Sequence, residues 1–158
     1  MKKIRLLILF SILLFIPCAK ANSISSITMD IYIDNNGDAH VTEVWDAKLS
    51  SGTEGYKPYY NLGDSEINNY KVSMDGIDFE NKKYWNTKSN FDSKAYKYGI
   101  NKISNGLELC FGISEYGKHK YTMSYTITNF VHELTDSEMV YFTLIPHNLS
   151  SKPDKTYI

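Results

Sequence analysis

The sequence predicts an all-β fold: an antiparallel β-sandwich, immunoglobulin-like or similar, with about eight to nine strands. Three observations predict it. Apolar residues recur with a period of two in one run after another. Turn signals such as Asn-Gly and Asp-Gly separate the runs. No segment beyond residue 21 sustains a 3.6-residue period. The chain has 158 residues, a length that suits one domain with its own core. Its 42% hydrophobic content excludes a disordered chain, and its two cysteines exclude a disulfide-dense scaffold.

Residues 1–21 read as an address. Lys2, Lys3 and Arg5 precede an apolar run over residues 6–16, broken only by Ser11. Pro17 follows, and Ala19 and Ala21 place small residues two apart. This is the layout of a secretory signal cleaved after Ala21. The apolar run is shorter than the roughly 20 residues a spanning helix needs. Cys18 follows Pro17, with Phe15 three positions before it, a poor match to a lipidation site. It is expected to leave with the signal.

Without the leader, residues 22–158 form one extracytoplasmic domain. They keep all 18 acids and lose Lys2, Lys3, Arg5 and Lys20, so the near-neutral charge of the whole chain becomes −5. The remaining cations are all Lys. An acidic domain without Arg is poorly suited to clamp phosphates, so nucleic acid is not an expected partner. With Cys110 as its lone cysteine, the domain forms no internal disulfide and must rely on its core.

The strands follow in order. Ile27, Met29, Ile31 and Ile33 alternate with polar residues, Asn35-Asn36-Gly37 turns the chain, and residues 38–49 return. Tyr70, Val72 and Met74 share a face, Asp75-Gly76 turns, and Ile77 and Phe79 begin a partner. Residues 81–93 read as a long polar connection with aromatic anchors. Tyr96, Tyr98 and Ile100 share one face of a short run. After Asn105-Gly106, the residues Leu107, Leu109, Phe111 and Ile113 share another. Tyr121, Met123, Tyr125 and Ile127 face opposite Thr122, Ser124, Thr126 and Thr128. Residues 139–145, nearly all apolar, read as a central strand. Thr135-Asp136-Ser137-Glu138 has capping-box spacing but precedes this strand-like run, so it caps one short turn at most. Lys155-Thr156-Tyr157-Ile158 looks like the beginning of a strand, as in a truncated reading frame or a fragment.

The stretch from Ile27 through Asn36-Gly37-Asp38-Ala39-His40-Val41-Thr42-Glu43 resembles the opening of the YciQ-like bacterial predicted membrane proteins. Their N-terminal domain is of unknown function (DUF2207 type). Residues 121–130 resemble that family's Tyr/Thr-rich strand. Residues 138–145, with Tyr141-Phe142-Thr143, resemble its acidic-aromatic strand, with Phe142 where Trp is common. The resemblance spans roughly residues 25–150 and implies an extracytoplasmic domain displayed by a membrane protein. It implies no activity. Family members continue into membrane helices and a low-complexity tail, which this sequence does not contain.

Several residues are candidates for chemistry or binding. Glu43 shares a strand face with Ala39, Val41, Trp45 and Ala47, where a carboxylate is costly unless paired. A bulge returning it to solvent, or a structural hydrogen bond to a turn, is one explanation. A structural or partner-binding carboxylate is the other. Cys110 lacks any local nucleophile signature and reads as a small buried hydrophobe. His40, His119, His132 and His147 do not occur at metal-ligand spacing, and residues 34–38 lack the further ligands of a calcium loop. No enzyme, metal or cofactor is expected. Tyr70, Tyr96, Tyr98, Tyr121 and Tyr125 are expected in the core. Tyr59, Tyr60 and Trp85, on loops, serve either as core or as anchors for a partner. Asn148-Leu149-Ser150 is a glycosylation sequon that matters only in a glycosylating pathway. The expected function is a non-catalytic sensing or protein-interaction module, with a carbohydrate-binding module of the cell envelope as the alternative. The expected partner is accordingly an envelope protein or a glycan.

Overall fold

The computed structural model describes residues 21–158. The leader over residues 1–21 therefore lies outside the described residues, Ala21 apart, as does Cys18. The described residues form twelve strands and one short helix: β1 (Ser23–Ile33), β2 (Ala39–Leu49), β3 (Glu54–Tyr60), β4 (Ile67–Met74), β5 (Ile77–Asp78), β6 (Glu80–Asn81), α1 (Phe91–Lys94), β7 (Lys97–Ile103), β8 (Gly106–Gly112), β9 (Gly117–Ile127), β10 (His132–Glu133), β11 (Glu138–Met139) and β12 (Pro153–Tyr157). Eight of the strands have five or more residues, in line with the eight to nine that the sequence predicts.

The fold is all-β and sandwich-like. One sheet has the order β12-β1-β2-β9-β4-β5 and the other β3-β8-β7-β6, and β10 and β11 form a small separate ribbon. All pairings are antiparallel except β1 with β12 and β6 with β7. The β1–β2 hairpin closes through Asn35-Asn36-Gly37. Asp34 accepts the Asn36 and Asp38 amides, and Gly37 adopts a φ of 79° that favours glycine. The strand-like C-terminus foreseen in the sequence is β12, added in parallel at the free side of β1.

Alternation along the strands builds the core. From the six-stranded sheet, Ile27, Val41, Trp45, Val72, Met74, Tyr121, Met123 and Tyr125 point inward; from the four-stranded sheet, Tyr59, Tyr98, Leu109 and Phe111 meet them. Aromatic rings bridge the two layers. Trp45 meets Phe111 edge-on at 6.1 Å, Phe111 leans on Tyr121 at 4.7 Å, and Tyr70 meets Tyr98 edge-on at 5.3 Å. Gly55 makes room for this filling, since a Cβ there would lie 2.3 Å from the Phe111 ring.

Residues 81–95 cover the outer face of the four-stranded sheet, as a connection with aromatic anchors should. A Cβ on Gly99 would lie 2.7 Å from the Lys82 carbonyl, and one on Gly112 would lie 1.8 Å from the Lys94 carbonyl. This cover explains why Cys110, on the outward face of β8, is nevertheless 1% exposed.

Three local expectations are corrected. Residues 139–145 do not form a central strand. Only Glu138 and Met139 pair, with Glu133 and His132, and the chain from 140 to 152 is irregular. Its apolar side chains still pack, with Phe142, Leu144 and Ile145 against the core edge, but no neighbouring strand supplies ladder bonds to its backbone. Tyr96 precedes β7 in the left-handed region, at φ 54°, so it departs from the Tyr98 alternation and packs edge-on against Phe79. No bulge occurs at Glu43. The ladder of β2 with β9 runs unbroken through Glu43↔Met123.

Candidate functional site

Glu43 and Trp45 are two residues apart on β2 and therefore point into the sandwich together. Lys57 and Tyr59 project from β3 in the opposite sheet, and Tyr125 from β9 beside β2. The five side chains meet in the sealed interior. Lys57 Nζ lies 2.5 Å from Glu43 Oε2, and both side chains are fully buried. The Tyr125 hydroxyl donates to Glu43 Oε2 at 2.7 Å, and the Trp45 indole N–H donates to Glu43 Oε1. The Tyr59 and Tyr125 hydroxyls share a hydrogen bond of 2.7 Å. Every oxygen of the carboxylate is thus occupied, which is what a buried charge requires. Burial pushes the Lys57 ammonium below its usual range, and the Glu43 charge opposes that shift. Burial, reinforced by the Glu43 charge, holds the Tyr59 and Tyr125 phenols protonated well above theirs; Tyr59 adds to the shift of Tyr125, whereas the hydrogen bond from Tyr125 partly offsets that of Tyr59.

A second cluster pins the covering connection to the outer face of β3. Glu54 accepts the Lys94 ammonium at 2.8 Å and the Trp85 indole N–H at 2.6 Å. Lys94 also donates to the Thr53 hydroxyl and the Thr87 carbonyl. Asn90 caps α1 by accepting the Ser93 amide, and this short turn presents Lys94.

Above the first cluster lies a groove of about 260 Å³ between the end of β3 and the irregular chain over 141–148. Tyr59, Tyr60 and Asn61 form one wall; Tyr141, Phe142, Thr143, Pro146, His147 and Asn148 form the other. The Asn148 amide donates to the Tyr60 hydroxyl at 3.0 Å and so orients that ring at the rim. The Phe142 ring packs 5.6 Å from Tyr59 and 5.4 Å from Phe130, joining the groove floor to the core.

The sequence candidates are therefore separated. Glu43 is fully buried in the ion pair and reaches no surface, and Tyr59 is 2% exposed with its hydroxyl in the same network. Tyr60 is exposed at the groove rim. Trp85 lies elsewhere, over Gly99 in the cover on the outer face of the same four-stranded sheet, with its N–H held by Glu54 and its neighbour Tyr84 exposed. Contrary to the loop expected from the sequence, Tyr59 and Tyr60 end strand β3, and they share one site; Trp85, on the connection, belongs to another. Lys57 is not singled out in the sequence, and Tyr141 figures there only in a family-like strand and His147 only as a histidine outside metal-ligand spacing, not as groove residues. A lone Lys in the aromatic run 56–60 and a lone Glu on an apolar face are the pair of signals that would have matched Lys57 to Glu43.

Cys110 is sealed beneath the cover, and burial pushes its thiol far above the usual range. Among the described residues no three of His, Cys, Asp or Glu gather to hold a metal ion, and no helix is long and apolar enough to cross a membrane. His40 pairs with Asp34 and His119 with Asp75 at the surface.

These features define an antiparallel-rich β-sandwich domain with an aromatic groove at one end. The chain belongs to a family described as the N-terminal domain of a predicted membrane protein (DUF2207), which matches residues 23–152. No curated protein matches the chain.

Proposed function

We propose that the chain is a non-catalytic, extracytoplasmic sensing or protein-interaction module, of the kind a membrane protein displays outside the cytoplasm. The leader pattern of residues 1–21 and the membrane-protein family support the location. The observation that carries the function is the Tyr60–Tyr141 groove. It is concave, and its walls are Tyr, Phe, Pro, His and Asn, the residue types that supply contact area and orientation at recognition sites. Its Tyr141 ring is 86% exposed, a large apolar surface left in water.

Cross-linking of the full chain to envelope proteins tests the reading. A defined partner is expected whose capture persists in added sugars and falls on Tyr60→Ala or Tyr141→Ala. The carbohydrate-binding reading is favoured by the same exposed rings, since sugar faces stack on Tyr. Glycan-array binding that vanishes on Tyr141→Ala, with no protein partner captured, would select it instead.

A further inference from the structure

We propose that the groove between β3 and residues 140–148 is a β-augmentation site, which accepts an extended polypeptide carrying apolar and basic side chains as an added strand. The inference rests on the interaction-module reading and names its partner.

The first observation is an open edge. β3 is the terminal strand of the four-stranded sheet, paired with β8 on one side only. Among the described residues, no backbone hydrogen bond joins β3 to the chain over 140–152, although that chain runs alongside it. An edge strand with unpaired backbone groups is a template for another strand. Pro58 is tolerated in β3 because β3 is an edge, and it leaves the free side one donor short, so an added strand can pair at that position only with the Pro58 carbonyl.

The second observation is the segment facing that edge. Val-Tyr-Phe-Thr-Leu-Ile over 140–145 has strong strand propensity, yet belongs to no sheet. Val140 is 48% exposed. Cavities of about 260 and 250 Å³ lie on either side of Tyr141 and Phe142. Room for side chains thus adjoins an unpaired edge, and strand addition uses both. Main-chain bonds supply affinity, and pockets for alternate side chains supply specificity.

The third observation is charge. Asp64, Glu66, Glu133, Asp136 and Glu138 flank the groove in sequence, and residues 58–66 and 131–151 contain no Lys or Arg. None of the five acids is in an ion pair among the described residues. Asp64 lines the second cavity, and a strand flanked by Lys or Arg complements these carboxylates.

Selection of a phage-displayed library of random dodecapeptides on the full chain tests the proposal. Enriched peptides should alternate apolar residues and carry Lys or Arg. Their affinity should fall about tenfold or more when alternate backbone amides are N-methylated, because ladder bonds are lost. It should fall similarly on Tyr60→Ala and on Tyr141→Ala, two exposed positions whose variants are checked by circular dichroism. No enrichment overturns the proposal, and so does binding indifferent to N-methylation. Peptides lost on Tyr84→Ala but not on Tyr60→Ala overturn the site while leaving an interaction module on the covered outer face of the same sheet. Failure of both peptide selection and envelope cross-linking removes the interaction reading itself.

Discussion

The molecule contains the same triad twice, in two different settings. In each, one Glu accepts a Lys ammonium and a Trp indole N–H: Glu43 with Lys57 and Trp45, and Glu54 with Lys94 and Trp85. The first ties one sheet to the other across the dry interior, with both charged side chains fully buried. The second ties a connection to the outside of a sheet, and its Glu54 side chain keeps 19% of its exposure. The chemistry is alike, so the contrast isolates desolvation. A charge between the sheets has no water to fall back on when its partner is removed. A charge under the cover is close to solvent and can recover some hydration.

The largest expected effect follows from that contrast. Glu43→Ala strands the Lys57 ammonium and leaves the Trp45 N–H and the Tyr125 hydroxyl short of an acceptor. It should cost about 3–5 kcal/mol in urea unfolding. Replacing both partners, as Glu43→Leu with Lys57→Met, should recover most of the loss, because the penalty comes from an unpaired charge rather than a missing bond. Glu43→Gln separates structure from function. Because Glu43 reaches no surface, a large stability loss is expected, and a retained melting temperature with lost partner binding would overturn this structural role.

A smaller loss is expected at the second triad. Glu54→Ala should cost about 1–3 kcal/mol, the range for removing a partly buried hydrogen-bonded charge partner. Its more telling readout is local. Residues 81–95 lie over Cys110, so loosening them should raise the rate of Cys110 alkylation in the folded protein well before global unfolding. In the parent chain the thiol should resist alkylation at neutral pH, since burial keeps it protonated. Equal alkylation rates in parent and Glu54→Ala would show that the triad does not hold the cover.

These two clusters also mark how far the sequence can be read. The sandwich, the β1–β2 hairpin and the polar connection over 81–93 are legible because period-two alternation and Asn-Gly chemistry are local signals. Residues 139–145 are misread as a central strand because propensity reports what a segment prefers, whereas pairing requires a neighbour that only tertiary structure supplies. Glu43 is legible as an anomaly, but its partner lies fourteen residues away on the opposite sheet, and period-two reasoning cannot reach across a sandwich. The same limit hides the groove. Tyr60 is foreseen as an anchor, whereas Tyr141 and His147 are brought to it by a chain with no regular pattern of its own.

The smallest effect belongs to carboxylates that use hydrogen bonds without burial. Asp75 accepts the Lys120 amide at 2.9 Å and pairs with His119 at 2.7 Å, and the amide bond is the larger cause of its lowered pKa. Asp34 is lowered first by His40 and then by the Asn36 amide, at the β1–β2 turn. Both fall below the usual 3.8 in the folded state. The stabilisation they give is therefore present above that value, where the unfolded carboxylates are already ionised. It is lost as pH falls through the folded values and these oxygens take up protons. Melting temperature followed between about pH 2 and pH 5 should show an acid limb that flattens in Asp75→Asn and flattens further with Asp34→Asn. The parent and variant curves should then converge at the acid end. An unchanged acid limb in the double variant would show that these two carboxylates do not set the acid stability of the domain.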